Sequence, residues 1–277
     1  MIADRMQRQR FEFKYVIDES TALLMRNMVS FRLTLDEAGE GKPNLSYPVN
    51  SIYLDSDNLT TYWDWVNSNR NRFKLRMRFY DENPDTPVFF EIKRRVSNCI
   101  LKQRCGVKKS AAESVLQGIC PAEDQIVSRD PKARTAIMNF IQITMQLQAK
   151  PKALVTYLRE AYVDPDNEGV RVTMDRQVRI GPREKVDWSL HMDRYEQPFG
   201  NKVILELKFN NRFPEWFGEM IRLFNVSRSA AAKYCEGISS LRHPELGNWN
   251  DKPGDWIADR RDARKSLARM LNRGTQF

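Results

Sequence analysis

Histidine and cysteine are scarce: two and four residues in a chain of 277. Cys99, Cys105, Cys120 and Cys235 form no CxxC pair, which argues against a thiolate or imidazole zinc site. The same usage fits a reducing, cytoplasmic compartment. No run of about 18 apolar residues is present to span a bilayer. Residues 1–10 are polar and arginine-rich and lack the apolar stretch of a secretory signal. The expectation is a soluble protein, or one held at a membrane only by a partner. Internal repeats and low-complexity blocks are also missing. What the chain has in quantity is charge: 45 Lys and Arg against 36 Asp and Glu, a net +9. That balance favours a polyanionic partner, whether nucleic acid, anionic lipid or free phosphate, and does not choose among them.

Periodicity predicts an alternation of strands and helices. Residues 8–17 read as a strand, and Asp18 or Ser20 caps a helix running to about residue 33. Further strands are predicted over 48–54, 72–80, 88–96, 99–107, 153–163, 170–180 and 202–209. Helices are predicted over 59–66, 111–118, 131–148, 214–224 and 229–241, with a loop over 36–46 and a turn over 81–85. Residues 244–255, rich in Pro, Gly and Asn, read as a linker to a basic amphipathic helix over 255–272. That helix either packs as a terminal helix or serves a membrane surface or partner. The domain reading is 1–243 for the main body and 244–277 for linker and helix.

The strands share an unusual pattern. In the segment 73–79, period two sets Phe73, Leu75, Met77 and Phe79 on one face and Lys74, Arg76 and Arg78 on the other. Taken alone this is an ordinary solvated sheet face. It recurs with Glu12 and Lys14, with Glu91, Lys93 and Arg95, with Lys102 and Arg104, with Tyr157 and Arg159, with Arg171, Thr173 and Asp175, and with Glu206 and Lys208. A whole sheet with so cationic a face repels itself unless an anion or water intervenes. The predicted solution is an α+β fold: a closed antiparallel β-barrel of about eight strands forming a charged tunnel, with helices packed outside. Inward Arg and Lys would hold successive phosphates. Glu12, Glu91, Asp175 and Glu206 are hard oxygen donors suited to Mg²⁺ or Mn²⁺.

The chain resembles the VTC domain, the polyphosphate polymerase domain of the vacuolar transporter chaperone complex, within the triphosphate tunnel metalloenzyme superfamily. The matching stretches run in order: RFEFKY from Arg10, SIYLD from Ser51, KLRMR from Lys74, FEIK from Phe90, KQR from Lys102, TYLR from Thr156, LELK from Leu205 and SRSAAAKY from Ser227. The resemblance implies that Lys14, Arg76, Arg78, Lys93 and Arg159 align the reacting phosphates, with Glu206 as metal carboxylate. It makes Lys102, Arg104, Lys208 and Lys233 substrate ligands and adds Tyr157 as a base-stacking contact and Ser227 beside them. From spacing alone Tyr157 is a strand packing residue, Lys233 a helix-surface lysine and Ser227 a helix cap.

The activity implied is transfer of the γ-phosphoryl group of ATP to inorganic polyphosphate, dependent on Mn²⁺ or Mg²⁺. Two alternatives stand beside it: a tripolyphosphatase or nucleoside triphosphatase of the same fold, and a non-catalytic polyphosphate- or RNA-binding module. Hydrolases of the superfamily carry ExExK on the first strand, where this chain has only Glu12-Phe13-Lys14 after Arg10. That favours the polymerase. Aromatics lying opposite the cations, such as Phe73 and Phe79, speak against sequence-specific nucleic acid. The membrane segments and SPX domain of the eukaryotic complex are not expected here, which leaves room for a membrane-protein partner that takes the product. The sequence sets no oligomeric state.

Overall fold

The computed structural model describes residues 10–96, 99–166 and 169–241. The predicted linker and C-terminal helix lie outside the described residues.

Eight long strands and one short one form a single antiparallel sheet. They are β1 (Arg10–Ile17), β2 (Thr34–Leu35), β3 (Tyr47–Asp55), β4 (Asn71–Phe79), β5 (Pro87–Val96), β6 (Cys99–Lys108), β7 (Lys150–Val163), β8 (Arg171–Pro182) and β9 (Val203–Asn210). The hydrogen-bonded order is β1-β9-β8-β7-β3-β4-β5-β6, with β2 paired to β7. Alternation makes these strands. On β4, Phe73, Leu75, Met77 and Phe79 are all buried, while Lys74, Arg76 and Arg78 share the opposite face.

Helices cover the apolar face. They are α1 (Glu19–Ser30), α2 (Thr60–Val66), α3 (Ala112–Leu116), α4 (Ala133–Leu147), α5 (Glu215–Leu223) and α6 (Lys233–Leu241). Met25 and Val29 of α1 and Phe217 and Met220 of α5 join Leu205, Leu207 and Phe209 of β9 in one buried cluster. On the other side Phe140 of α4 meets Phe90 of β5 edge to face, ring centres 5.0 Å apart. Among the described residues no helix is long and apolar enough to cross a membrane.

The predicted closed barrel is corrected by the topology. β1 and β6 end the hydrogen-bonded order and do not pair, so the sheet stays open. Both outer edges are taken by irregular segments. Ser229 N donates to Lys14 O at 2.8 Å and Arg228 bridges Tyr15, capping β1. Val127 N donates to Gly106 O at 2.9 Å and Ile126 bridges Val107, capping β6. An edge so covered has no donors and acceptors left at those positions for another strand. The sheet is nevertheless curled, as the approach of Lys93 of β5 to Glu12 of β1 at 2.8 Å across the open seam shows. The same capping explains why α6 starts at Lys233, later than the predicted residue 229: residues 228–229 spend their backbone on β1.

Candidate functional site

The curled inner face lines a cavity of about 620 Å³. Its wall can be read as rungs across the sheet. On the β3–β6 side, Arg72 pairs with Arg95, Lys74 with Lys93 and Lys102 through β5, and Tyr53 with Arg76, Glu91 and Arg104. On the β7–β1 side the rungs are Arg171, Lys208 and Glu12, then Thr173, Glu206 and Lys14, with Arg159 opposite Asp175. Each of these last three rungs carries one carboxylate. The first two rungs of the other side carry none.

The carboxylates are shared among cations. Glu206 Oε2 lies 2.7 Å from Lys208 Nζ and 3.4 Å from Arg159, while Oε1 lies 3.1 Å from Lys233 and 3.3 Å from Lys14. Burial alone would raise its carboxyl, but Lys208, Lys233 and Lys14 hold it well below the usual range. Glu91 likewise takes Arg76 at 2.6 Å and Lys102 at 2.7 Å, and these cations with Arg78 depress it against its burial. Arg159 grips Asp175 with both branches at 2.7 Å, Nε to Oδ1 and Nη2 to Oδ2. Cations still exceed anions: fifteen Lys and Arg line the cavity with two carboxylates, Glu12 and Glu206. Among the described residues, the buried Nε groups of Arg78 and Arg171 have no hydrogen-bond acceptor. Such donors are costly unless a ligand or water meets them.

Two lysines are poised to titrate. Burial pushes the ammonium of Lys208 down to about 7 despite Glu206, and does the same to Lys102 despite Glu91. A bound phosphate favours the charged form, so binding near neutral pH takes up protons. Affinity for tripolyphosphate is therefore expected to fall as pH rises above about 7, by up to about tenfold for each unit by which phosphate lifts the lysine pKa. Calorimetry in buffers of different ionisation enthalpy measures the proton uptake, and Lys208→Arg should flatten the profile.

The structure brings Lys14, Arg76, Arg78, Lys93, Lys102, Arg104, Tyr157, Arg159, Glu206, Lys208 and Lys233 to this one cavity. Ser227 is exposed and not part of the wall; Ser229 stands there instead, and Ser227 caps no helix because α6 starts six residues on. Tyr157 is buried, takes a hydrogen bond from Arg78 at 3.1 Å, and has Lys233 4.8 Å and Arg159 5.2 Å from its ring centre. Its ring thus serves as a cation platform.

A divalent metal was expected on Glu206. Among the described residues no three His, Cys, Asp or Glu side chains form a cluster able to hold one. Glu206 and Asp175 do share Lys233, whose Nζ is 2.5 Å from Asp175 and 3.1 Å from Glu206. One or two carboxylates completed by phosphate oxygens and water is the donor set Mg²⁺ ordinarily takes, and Glu206, which lines the cavity, supplies one such carboxylate.

The family model of the VTC domain matches residues 9–242. The chain belongs to the VTC domain family. No curated protein matches it. A Bacillus halodurans protein described as an adenylate cyclase candidate is similar in structure, at 13% identity and a TM-score of 0.45, covering 81% of this chain and 94% of that one. A Pyrococcus horikoshii OT3 protein is similar at 13% identity and a TM-score of 0.42, covering 84% and 99%. Membership of the VTC domain family supports a phosphate-transfer function of the triphosphate-tunnel type.

This VTC domain also places further residues in its cavity. Lys74, Arg95 and Arg171 sat on the charged face by period two and carried the necessary signal. Tyr53, Arg72, Arg228 and Tyr234 did not. Tyr53 comes from an apolar-looking strand, and its hydroxyl takes a hydrogen bond from Arg76 at 3.1 Å. Arg228 sits on the segment that caps β1, its guanidinium 3.6 Å from the Phe13 ring centre.

Proposed function

We propose that this VTC domain is a polyphosphate polymerase that moves the γ-phosphoryl group of ATP onto the end of a polyphosphate chain. The observation that carries the reading is the charge imbalance of the cavity among the described residues, fifteen lining cations against Glu12 and Glu206 with Glu91 and Asp175 buried behind them, together with buried Arg donors that lack acceptors. A chain of phosphates supplies closely spaced negative charge and many acceptor oxygens to match.

In the proposed reaction an oxygen of the terminal phosphate of the chain attacks the γ-phosphorus of ATP. The bond from that phosphorus to the β-bridging oxygen breaks, ADP leaves, and the chain is one phosphate longer. No side-chain nucleophile is required, so the work falls to alignment and electrostatic stabilisation. Arg76, Arg78 and Arg159 offer planar forks to phosphate oxygens, and Lys14, Lys93 and Lys233 offer point charges. Carboxylate partners hold all of these but Arg78 in place before substrate arrives, and Arg78 is held by the Tyr157 hydroxyl. Glu206, with Asp175 beside it, would hold Mn²⁺ or Mg²⁺ together with phosphate oxygens. Such an ion neutralises charge developing on the transferred group.

Incubating the protein with ATP and Mn²⁺ tests this. The expected products are ADP and long-chain polyphosphate. Orthophosphate without polymer would replace the reading with a triphosphatase, and phosphate-chain binding without turnover would replace it with a binding module.

A further inference from the structure

Asp55, at the end of β3, is fully buried and outside the cavity wall, yet it is tied to an element that contributes to that wall, the first turn of α6. Its Oδ1 accepts from Ser56 N and Thr61 N, both at 2.9 Å. Its Oδ2 accepts from the Thr61 hydroxyl at 2.7 Å, Tyr62 N at 3.1 Å and the Tyr234 hydroxyl at 3.0 Å. Four of these donors are local and fasten α2 to β3. The fifth comes from the far end of the fold.

Tyr234 directly follows Lys233 at the start of α6. Its ring stacks on Tyr53 with centres 4.8 Å apart and planes at 13°, and Tyr53 in turn receives Arg76. Lys233 meanwhile reaches Asp175 and Glu206. Successive helical residues differ by only about 1.5 Å in rise, so a displaced Tyr234 displaces Lys233 with it. Gly237 one turn on leaves α6 little freedom in its seat, since a Cβ there would lie 2.7 Å from Ile180 Cγ2.

We propose that Asp55 and Tyr234 are a positioning pair: their hydrogen bond seats the first turn of α6 so that Lys233 enters the phosphate cavity at the height of Asp175 and Glu206. Neither residue meets the reacting atoms through this bond. The proposal rests on the phosphate-chain reading of the cavity. Burial keeps the Tyr234 phenol well above its ordinary pKa, so it remains a donor at neutral pH.

The test is a double-mutant cycle on tripolyphosphate affinity, measured by calorimetry with the full chain. Tyr234→Phe keeps the ring stack and deletes the bond. It is expected to weaken binding about fivefold, against about tenfold for Lys233→Ala, a charge-assisted contact. If Tyr234 acts through Lys233, the double variant binds no more weakly than Lys233→Ala alone. Asp55→Asn, which keeps an acceptor for the phenol, should bind more tightly than Asp55→Ala. Tripolyphosphate affinities that multiply in the double variant, or a Tyr234→Phe protein indistinguishable from wild type, would overturn the positioning role. A wild-type protein that does not bind tripolyphosphate would instead overturn the cavity reading and this inference with it.

Discussion

Glu206→Gln is expected to abolish phosphoryl transfer, lowering turnover by about a thousandfold or more, while tripolyphosphate still binds. Glu206 lies within 3.4 Å of four cations, Lys14, Arg159, Lys208 and Lys233, and its pKa is depressed chiefly by three of them against its burial. Glutamine keeps the shape and one acceptor oxygen but removes the charge a metal would need. With that charge gone the cavity is more positive, so affinity for an anionic chain should hold or rise. The free protein should suffer, because the four cations lose their common counter-charge. Breaking a buried pair costs about 3–5 kcal/mol where the remaining charge stays dry. Thermal melting should therefore show a destabilised variant that saturating tripolyphosphate restores. Turnover within tenfold of wild type would remove Glu206 from the chemistry.

Arg159→Lys separates charge from geometry. The guanidinium meets Asp175 through two parallel bonds of 2.7 Å and has Glu206 at 3.4 Å, a three-way contact from a side chain that is almost wholly buried. Lysine preserves the charge but presents no fork, so it holds one carboxylate oxygen and loses its orientation toward phosphate. Turnover is expected to fall about a hundredfold with little change in melting temperature, since Lys233 remains 2.5 Å from Asp175. Arg159→Ala should lose both, with about 2–4 kcal/mol of stability, as a buried charge is left short of a partner. Steady-state kinetics beside thermal denaturation distinguishes the two. Wild-type turnover in Arg159→Lys would mean that position 159 contributes charge alone.

Much of the sheet was legible because alternation is a local signal. Lys74, Arg76 and Arg78 announced their shared face within seven residues, and β5, β6 and β9 did the same. What decided the closure of the sheet was not local. The segments that cap β1 and β6, around Arg228 and Ile126, are not strands and carry no period, so nothing in them betrays that they occupy the edges. The predicted barrel failed for that reason, although the curl that gathers the charges is present. Lys93 and Glu12 stand 81 positions apart and meet across the seam, a contact only the folded curvature creates. Period two puts Lys208 on the charged face and the resemblance makes it a substrate ligand; its depressed pKa comes from its depth in the cavity, which pattern does not encode. The stack of Tyr53 on Tyr234 depends on where α6 lands, which no local pattern encodes. The left-handed Gln177, with φ of 51°, interrupts β8 beside a shift in its register with β7, again without a glycine to mark it.

A crystal structure of the protein with a non-hydrolysable ATP analogue and Mn²⁺ shows directly whether these charges serve a chain of phosphates. The expected density places the triphosphate inside the cavity, its oxygens on Arg76, Arg78, Arg159 and Lys233, with the cation at Glu206. A triphosphate bound elsewhere on the molecule, with the cavity cations still paired to Glu91, Asp175 and Glu206 alone, would contradict it.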